Sequence, residues 1–189
     1  RPRKAVARWL MGEDAYTLHK PVRKTFRRRR TYSKGINDLF QADLADMSPL
    51  ARQNDGNRYL LTCIDVFSKR AWAVPLLNKS GGNVKRAFEK IFEDAMPNMI
   101  QTDKGTEFLN STVQALFAAH NIKHYTSENE DIKAAVVERF NRTLKNKMWR
   151  YFTYSKSQKY IDVLDELLAS YNSTYHRSIG MAPSQVTDN

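Results

Sequence analysis

The 189-residue sequence contains a single cysteine, Cys63, so a disulfide within the chain is excluded. Its position in an apolar run makes Cys63 a small buried hydrophobe and points to a reducing compartment. The four histidines, His19, His120, His124 and His176, are scattered, and no Cys/His spacing suits zinc. No apolar run approaches the roughly 18 residues that a membrane span requires. The N-terminus is basic and interrupted by charges, unlike a secretory signal. It does not open on Met, so a piece of a longer protein is expected. No internal repeat is evident.

What is present is basic charge, unevenly spread. The formal net charge is +11. Residues 1–30 carry 11 Lys/Arg against Glu13 and Asp14, whereas the rest carries 20 against 18. A basic arm on a nearly neutral body points to a polyanionic partner, nucleic acid first. The run Arg27-Arg28-Arg29-Arg30 fits the same role or a nuclear localisation signal. A solvated tail is the plain alternative. Residues 1–34 have too little apolar content for a core, beyond a possible short helix from Lys4 to Met11. The expected division is a basic N-terminal arm over 1–34 and a folded domain over 35–189.

The domain begins with three strand patterns joined by short connections: Asp38 to Met47, Tyr59 to Phe67 and Ala71 to Leu76. That spacing predicts an antiparallel meander. Val84, Phe88, Ile91 and Phe92 then fall at helical spacing, with Pro97 beyond. A fourth strand is expected over Asn98 to Thr102, a helix over Phe108 to His120 and a fifth strand over Ile122 to Thr126. Ser127 to Asp131 reads as a polar loop. Helices follow from about Ile132 to Phe152 and from Lys156 to about Tyr175. The prediction is an α/β domain with a five-stranded mixed sheet flanked by helices.

Three acids hold distinctive places in that order. Asp43 lies in the first strand, Asp103 ends the fourth and Glu138 lies in the long helix. Alone, Asp103 in a strand-to-helix loop, followed by Gly105, would be an ordinary turn or N-cap residue. If the first and fourth strands are neighbours, Asp43 and Asp103 approach each other, with Glu138 supplied by the packed helix. Three clustered carboxylates repel unless cations bind between them. Hard oxygen ligands favour Mg²⁺ or Mn²⁺. Two such ions, about 3.5–4 Å apart, stabilise the attacking and leaving oxygens of an in-line phosphoryl displacement. Glu138, Arg142 and Lys145 recur at i, i+4 and i+7 on one helical face, where the cations suit substrate phosphates. Asn141 lies within reach of the same site. The plain alternative is a Glu138–Arg142 pair supporting an exposed helix.

Three ordered motifs carry a resemblance: Phe40-Gln41-Ala42-Asp43, Thr102-Asp103-Lys104-Gly105-Thr106-Glu107-Phe108, and Val137-Glu138-Arg139-Phe140-Asn141-Arg142-Thr143-Leu144-Lys145. Together they resemble the catalytic core of retroviral-type integrases, in wording most of all those of Maverick/Polinton transposons. Tyr171-Asn172, His176, Gly180 and Pro183 are similar to an ending common in retrotransposon integrases. The resemblance covers about residues 35–186. It implies an RNase H-like fold with Asp43, Asp103 and Glu138 as a metal-binding acidic triad. It also implies metal-dependent 3′-end processing and strand transfer into double-stranded target DNA, by a nuclear homo-oligomer. Lys133, Arg142 and Lys145 would then hold the DNA backbone, aided by the basic segment that includes Arg27, Arg28, Arg29 and Arg30. Two departures stand out. The interval between Asp103 and Glu138 holds 34 residues, one fewer than in retroviral relatives, and Ala134-Ala135 replaces a glycine before the helix. The zinc-binding N-terminal and DNA-binding C-terminal modules of such integrases match no stretch of these residues.

Other acids are set aside. Asp46, three residues from Asp43, points to the opposite face of a regular strand. Asp65 is expected to bond nearby backbone or Ser68, and Glu128, Glu130 and Asp131 suit a solvated loop. Trp72 and Trp149 read as packing residues rather than base-stacking platforms. Two alternative functions remain: a transposon-derived DNA-binding protein without catalysis, and an RNase H-type nuclease cutting RNA–DNA hybrids.

Overall fold

A computed structural model of the chain describes residues 3–13, 31–126 and 134–187. The chain divides into two compact units, residues 1–30 and 31–189. In the first, helix α1 spans Arg3–Leu10, close to the Lys4 to Met11 expected. Arg27, Arg28, Arg29, Arg30 and Lys133, and the loop expected over Ser127 to Asp131, lie outside the described residues.

The second unit is built on β1 (Leu39–Asp46), β2 (Tyr59–Asp65), β3 (Ala71–Leu76), β4 (Met99–Thr102) and β5 (Lys123–Thr126). They form one sheet in the order β3-β2-β1-β4-β5. The first two pairings are antiparallel, as the short connections required, and the other two are parallel. Thus the first and fourth strands are neighbours. Helix α2 (Gly81–Phe92) separates β3 from β4, α3 (Thr106–Leu109) and α4 (Ser111–Ala119) separate β4 from β5, and α5 (Ala135–Ser155) and α6 (Leu164–Asn172) follow.

Both faces of the sheet are covered, which is why β2 reads as an uninterrupted apolar run rather than an alternating one. Leu61 and Cys63 pack with Phe88, Phe108 and Phe117 on one side. Leu60 and Ile64 pack with Val137, Phe140, Leu144 and Met148 on the other. Cys63 is fully buried, as expected, and burial pushes its thiol pKa above the ordinary value. Among the described residues no helix is long and apolar enough to cross a membrane.

Two helices differ from the sequence pattern. The helix expected over Phe108 to His120 is broken at Asn110, whose side chain accepts the Val113 N–H at 3.0 Å and so starts α4 afresh. The last helix is shorter than Lys156 to Tyr175. Lys156 turns the chain at φ 54°, and buried Asn54 accepts the Tyr160 and Ile161 N–H groups at 2.7 and 3.1 Å. A short 3₁₀ turn, Ile161–Val163, leads into α6. Ser48–Gln53 is likewise a 3₁₀ turn, beginning before the polar stretch expected over Arg52 to Asn57.

The motif near the C-terminus holds α6 to the sheet. Tyr171 meets Phe140 edge to face, with ring centroids 4.8 Å apart. Asn172 bonds both backbone groups of Ala71 at 2.9 Å, satisfying part of the β3 edge. His176 bridges to Met181 around Gly180, whose φ of 72° suits glycine.

Candidate active site

The β1–β4 register pairs Phe40 with Ile100 and Gln41 with Gln101. Continued two residues, it sets Asp103 level with Asp43, just past the end of β4. Alternation along β1 turns Gln41, Asp43 and Ala45 toward the α5 layer, and Phe40, Ala42 and Leu44 toward α2 and α4. Glu138 lies in the first turn of α5, where the positive end of the helix favours a carboxylate.

Asp43 is partly buried, and its carboxyl pKa is raised. Desolvation is the largest cause, followed by the charge of Asp103 and, more weakly, that of Glu138. Asp43 is thus within electrostatic reach of both other acids. Asn141, one turn beyond Glu138, donates from Nδ2 to Asp43 Oδ2 at 2.8 Å. Its own Oδ1 is buried and has no hydrogen-bond donor among the described residues. Asp103 is exposed and accepts the Gly105 N–H at 3.1 Å, so it is also the turn residue its context suggested. Gly105 has an ordinary φ of −62°, however. What glycine supplies there is room, because a Cβ would stand 2.7 Å from the Glu107 carboxyl carbon and 3.0 Å from Asp103 Oδ1. Among the described residues, no three Asp, Glu, His or Cys side chains stand close enough to hold an ion as they are placed.

An open groove of about 520 Å³ runs from Asp43, Leu44, Ala45 and Asp46 along α5. Glu138, Asn141, Arg142, Lys145, Asn146 and Trp149 line its other wall. Among the described residues, Glu138, Arg142 and Lys145 make no ion pair, so the exposed-pair reading of this helix does not hold.

Two acids set aside on sequence have structural partners. Asp65 closes the β2–β3 turn by accepting from Phe67 N, Ser68 N and Ser68 Oγ, the last at 2.6 Å. Asp46 accepts from Ser48 N at 2.8 Å. Trp72 packs as expected, stacked on Phe40 at 5.0 Å. Trp149 packs only in part: it meets Phe152 edge to face at 5.2 Å, yet 52% of it is exposed along the groove.

Sequence reasoning missed Gln41. It is 1% exposed, and its Oε1 accepts from Val136 N at 2.9 Å and Val137 N at 3.2 Å. These are orphan donors of the first turn of α5, which the local cap residue, Ala134, leaves without a side-chain bond. Gln41 Nε2 donates to Gln101 Oε1 at 2.8 Å. A buried glutamine pair therefore binds β1 to β4 and seats the helix that carries Glu138. The available signal is the repeat of Gln-x-Asp at 41–43 and 101–103, which puts Gln beside Gln and Asp beside Asp on parallel strands in register.

The family model described as the integrase core domain matches residues 35–131, just over half of the chain, which takes in Asp43 and Asp103 and stops before Glu138. An uncharacterized transposon-derived protein of Caenorhabditis elegans is 37% identical over 142 residues, 74% of this chain and 49% of that protein. The retrovirus-related Pol polyprotein from transposon 412 of Drosophila melanogaster is 34% identical over 114 residues, 59% of this chain and 9% of the polyprotein. The chain therefore spans at most about half the length of these relatives. Among solved structures, the HTLV-2 integrase catalytic core domain in complex with magnesium matches with a TM-score of 0.68 at 21% identity. The match covers 82% of this chain and 98% of that one. A chain of the simian T-cell lymphotropic virus intasome in complex with PP2A regulatory subunit B56 gamma matches with a TM-score of 0.75 at 18% identity, covering 96% and 65%. These likenesses give the fold, RNase H-like, with the mixed sheet and flanking helices that the sequence order predicted. By its fold and its match to the family model, the chain belongs to the integrase core domain family.

Proposed function

We propose that the chain is the catalytic core of a transposon-type DNA integrase, joining DNA 3′ ends to target DNA in a metal-dependent reaction. The observation that supports this most is the placement of Asp43 on β1 and Asp103 just past the end of the neighbouring parallel strand β4, with Glu138 at the start of α5, since Asp43 feels both other charges. A purely DNA-binding surface has no use for a partly buried carboxylate held among like charges.

The residues suit Mg²⁺ or Mn²⁺. Three carboxylates and Asn141 Oδ1, unpartnered among the described residues, are a hard, all-oxygen donor set, and a divalent cation would offset both the desolvation that chiefly raises the Asp43 pKa and the charges of Asp103 and Glu138 that add to it. Asp103 and Glu138 are exposed and, among the described residues, make no ion pair, so they can turn inward. Asp43, Asp103 and Glu138 would hold two ions. Bound there, the ions would supply activation of the attacking oxygen and neutralisation of the leaving one.

The chain's own contribution is placement. Asn141 restrains the Asp43 carboxylate, and Gln41 seats the first turn of α5. Arg142 and Lys145 would hold phosphates of the scissile strand, with Lys133 and Arg27 to Arg30 adding contacts to double-stranded DNA. Water would first cut near the element's 3′ end, and the freed 3′-OH would then attack the target phosphodiester. A homo-oligomer would bring two ends together, acting in the nucleus. The transposon-derived relative agrees with a transposon source, of which the Maverick/Polinton branch is the one the motif wording favours.

The test is strand transfer on short labelled duplexes with Mn²⁺, comparing the chain with Asp103→Asn. Joined products that vanish in the variant support the proposal. Equal DNA binding by both proteins with no product from either would leave DNA binding alone. Cleavage confined to RNA–DNA hybrids would leave a nuclease.

A further inference from the structure

The stripe that begins with Glu138, Arg142 and Lys145 has a fourth member. Trp149 lies 11 residues beyond Glu138, about three helical turns, and so falls on the same face of α5. It closes the groove that the carboxylates open. Its contact with Phe152, edge to face at 5.2 Å, leaves 52% of the residue exposed. Exposed Asn146 stands beside it; between it and the carboxylates, Arg142 and Lys145 make no close ion pair among the described residues, the charge of Lys145 acting only weakly on exposed Asp46 of the same groove. Half-exposed indole is poorly placed in an otherwise polar stripe unless something covers it. Cations spaced along a groove that ends in an exposed aromatic face suit single-stranded nucleic acid, whose phosphates follow the charges while a base stacks on the ring. The charges decide the class of occupant, because a protein segment would need its own acids or apolar side chains at those positions.

We propose that Trp149 is a stacking platform for an unpaired DNA base. It would hold a frayed or single-stranded end whose phosphates run past Lys145 and Arg142 to the carboxylates. This rests on reading the groove as a DNA site. The helix rises about 16 Å between Glu138 and Trp149. At about 3.4 Å per phosphate of a stacked strand, the platform would meet a base roughly five nucleotides from the reacting phosphate. It would therefore select ends that open easily and would leave closed duplex unrecognised.

The experiment is tryptophan fluorescence of the full chain in EDTA, which prevents turnover. It is titrated with a short single strand, a blunt duplex of the same sequence and a duplex with an unpaired 3′ end. Trp149→Phe removes this indole and isolates its signal from those of Trp9 and Trp72. The single strand and the unpaired end should quench the wild-type emission, and Trp149→Phe should lose that quenching while keeping most of the affinity. Trp149→Ala should weaken both ligands by about 5- to 100-fold and blunt duplex hardly at all. Quenching absent in the wild type, or Trp149→Ala binding all three DNAs like the wild type, overturns the platform. Arg142→Ala with Lys145→Ala should lower affinity for all three and flatten its salt dependence. The catalytic proposal is tested apart by Asp103→Asn: quenching by Trp149 without any joining keeps the platform and removes the integrase, and joining without quenching does the reverse.

Discussion

Replacing Gln41 by Leu should unseat the start of α5 without opening a cavity. The glutamine is 1% exposed and makes three hydrogen bonds, two to the Val136 and Val137 N–H groups and one to Gln101. A typical hydrogen bond contributes about 1 kcal/mol net, and a buried donor left without a partner costs about 1–3 kcal/mol. Water can reach the Val136 amide, which is half-buried, more readily than that of buried Val137. The expected loss is therefore about 3 kcal/mol, or roughly 6–12 °C in Tm for a domain of this size. Gln101→Leu removes one of the three bonds and leaves Gln41 Nε2 a buried donor without that partner, so it should cost about 1–3 kcal/mol while sparing the bonds to Val136 and Val137. Urea denaturation followed by circular dichroism measures both, and amide exchange locates the effect. In Gln41→Leu the Val136 and Val137 amides should exchange faster, whereas amides near Met148 should keep their protection relative to global unfolding. Unchanged exchange at Val136 and Val137 in Gln41→Leu, or equally accelerated exchange there in Gln101→Leu, would refute the role assigned to Gln41.

Desolvation of the Asp43 carboxylate and, next, repulsion by Asp103 and Glu138 predict that Asp43→Asn is more stable than the wild type in EDTA, by roughly 1–2 kcal/mol, since it removes the desolvated charge and keeps the Asn141 contact. Mn²⁺ should raise the wild-type Tm and leave that of the variant unchanged; a variant less stable in EDTA contradicts the argument. His124 accepts from Gln114 Nε2 through Nδ1, which leaves its Nε2 proton for Thr102 Oγ1, so only the neutral ring fits, and burial lowers its pKa below 6.5. The unfolded chain then binds more protons, so this stabilisation is complete above about pH 6.5 and is lost as pH falls through the window down to the lowered folded value. His176 shifts the same way, chiefly by burial, so His124→Asn should reduce the acid slope of a denaturation series rather than abolish it. Asn172→Ala should free both Ala71 backbone groups at the sheet edge and cost about 1–3 kcal/mol in denaturant stability. A loss below a few tenths would mean that the Tyr171–Phe140 contact alone holds α6.

Much of the fold and of the acidic site was legible in the sequence, for identifiable reasons. Strand period and short connections set the meander in β1 to β3, and helical spacing set α2 and α5. The place of each acid in the order of elements singled out Asp43, Asp103 and Glu138 before any distance was known. Element ends were less legible wherever a distant side chain decides them: Asn54 captures the N–H groups of Tyr160 and Ile161, 106 and 107 residues away, and so delays α6. Asn110 stands inside the span read as one helix, Phe108 to His120, and the apolar pattern that continues across it hid the cap that the structure shows.

By itself, the sequence determined the α/β order, the basic N-terminal segment, the ordered carboxylates and the cationic stripe of α5. All of these follow from local period and composition. The tertiary structure alone decided that the 60-residue offset between the two Gln-x-Asp segments becomes strand register, pairing the glutamines in the core and leaving Asp103 just past the strand end beside the Asp43 strand. It also decided that Gln41 caps a helix 95 residues away and that Trp149 faces a groove rather than the core. Side-chain partners and burial of this kind depend on which elements pack together, and local period carries no record of that.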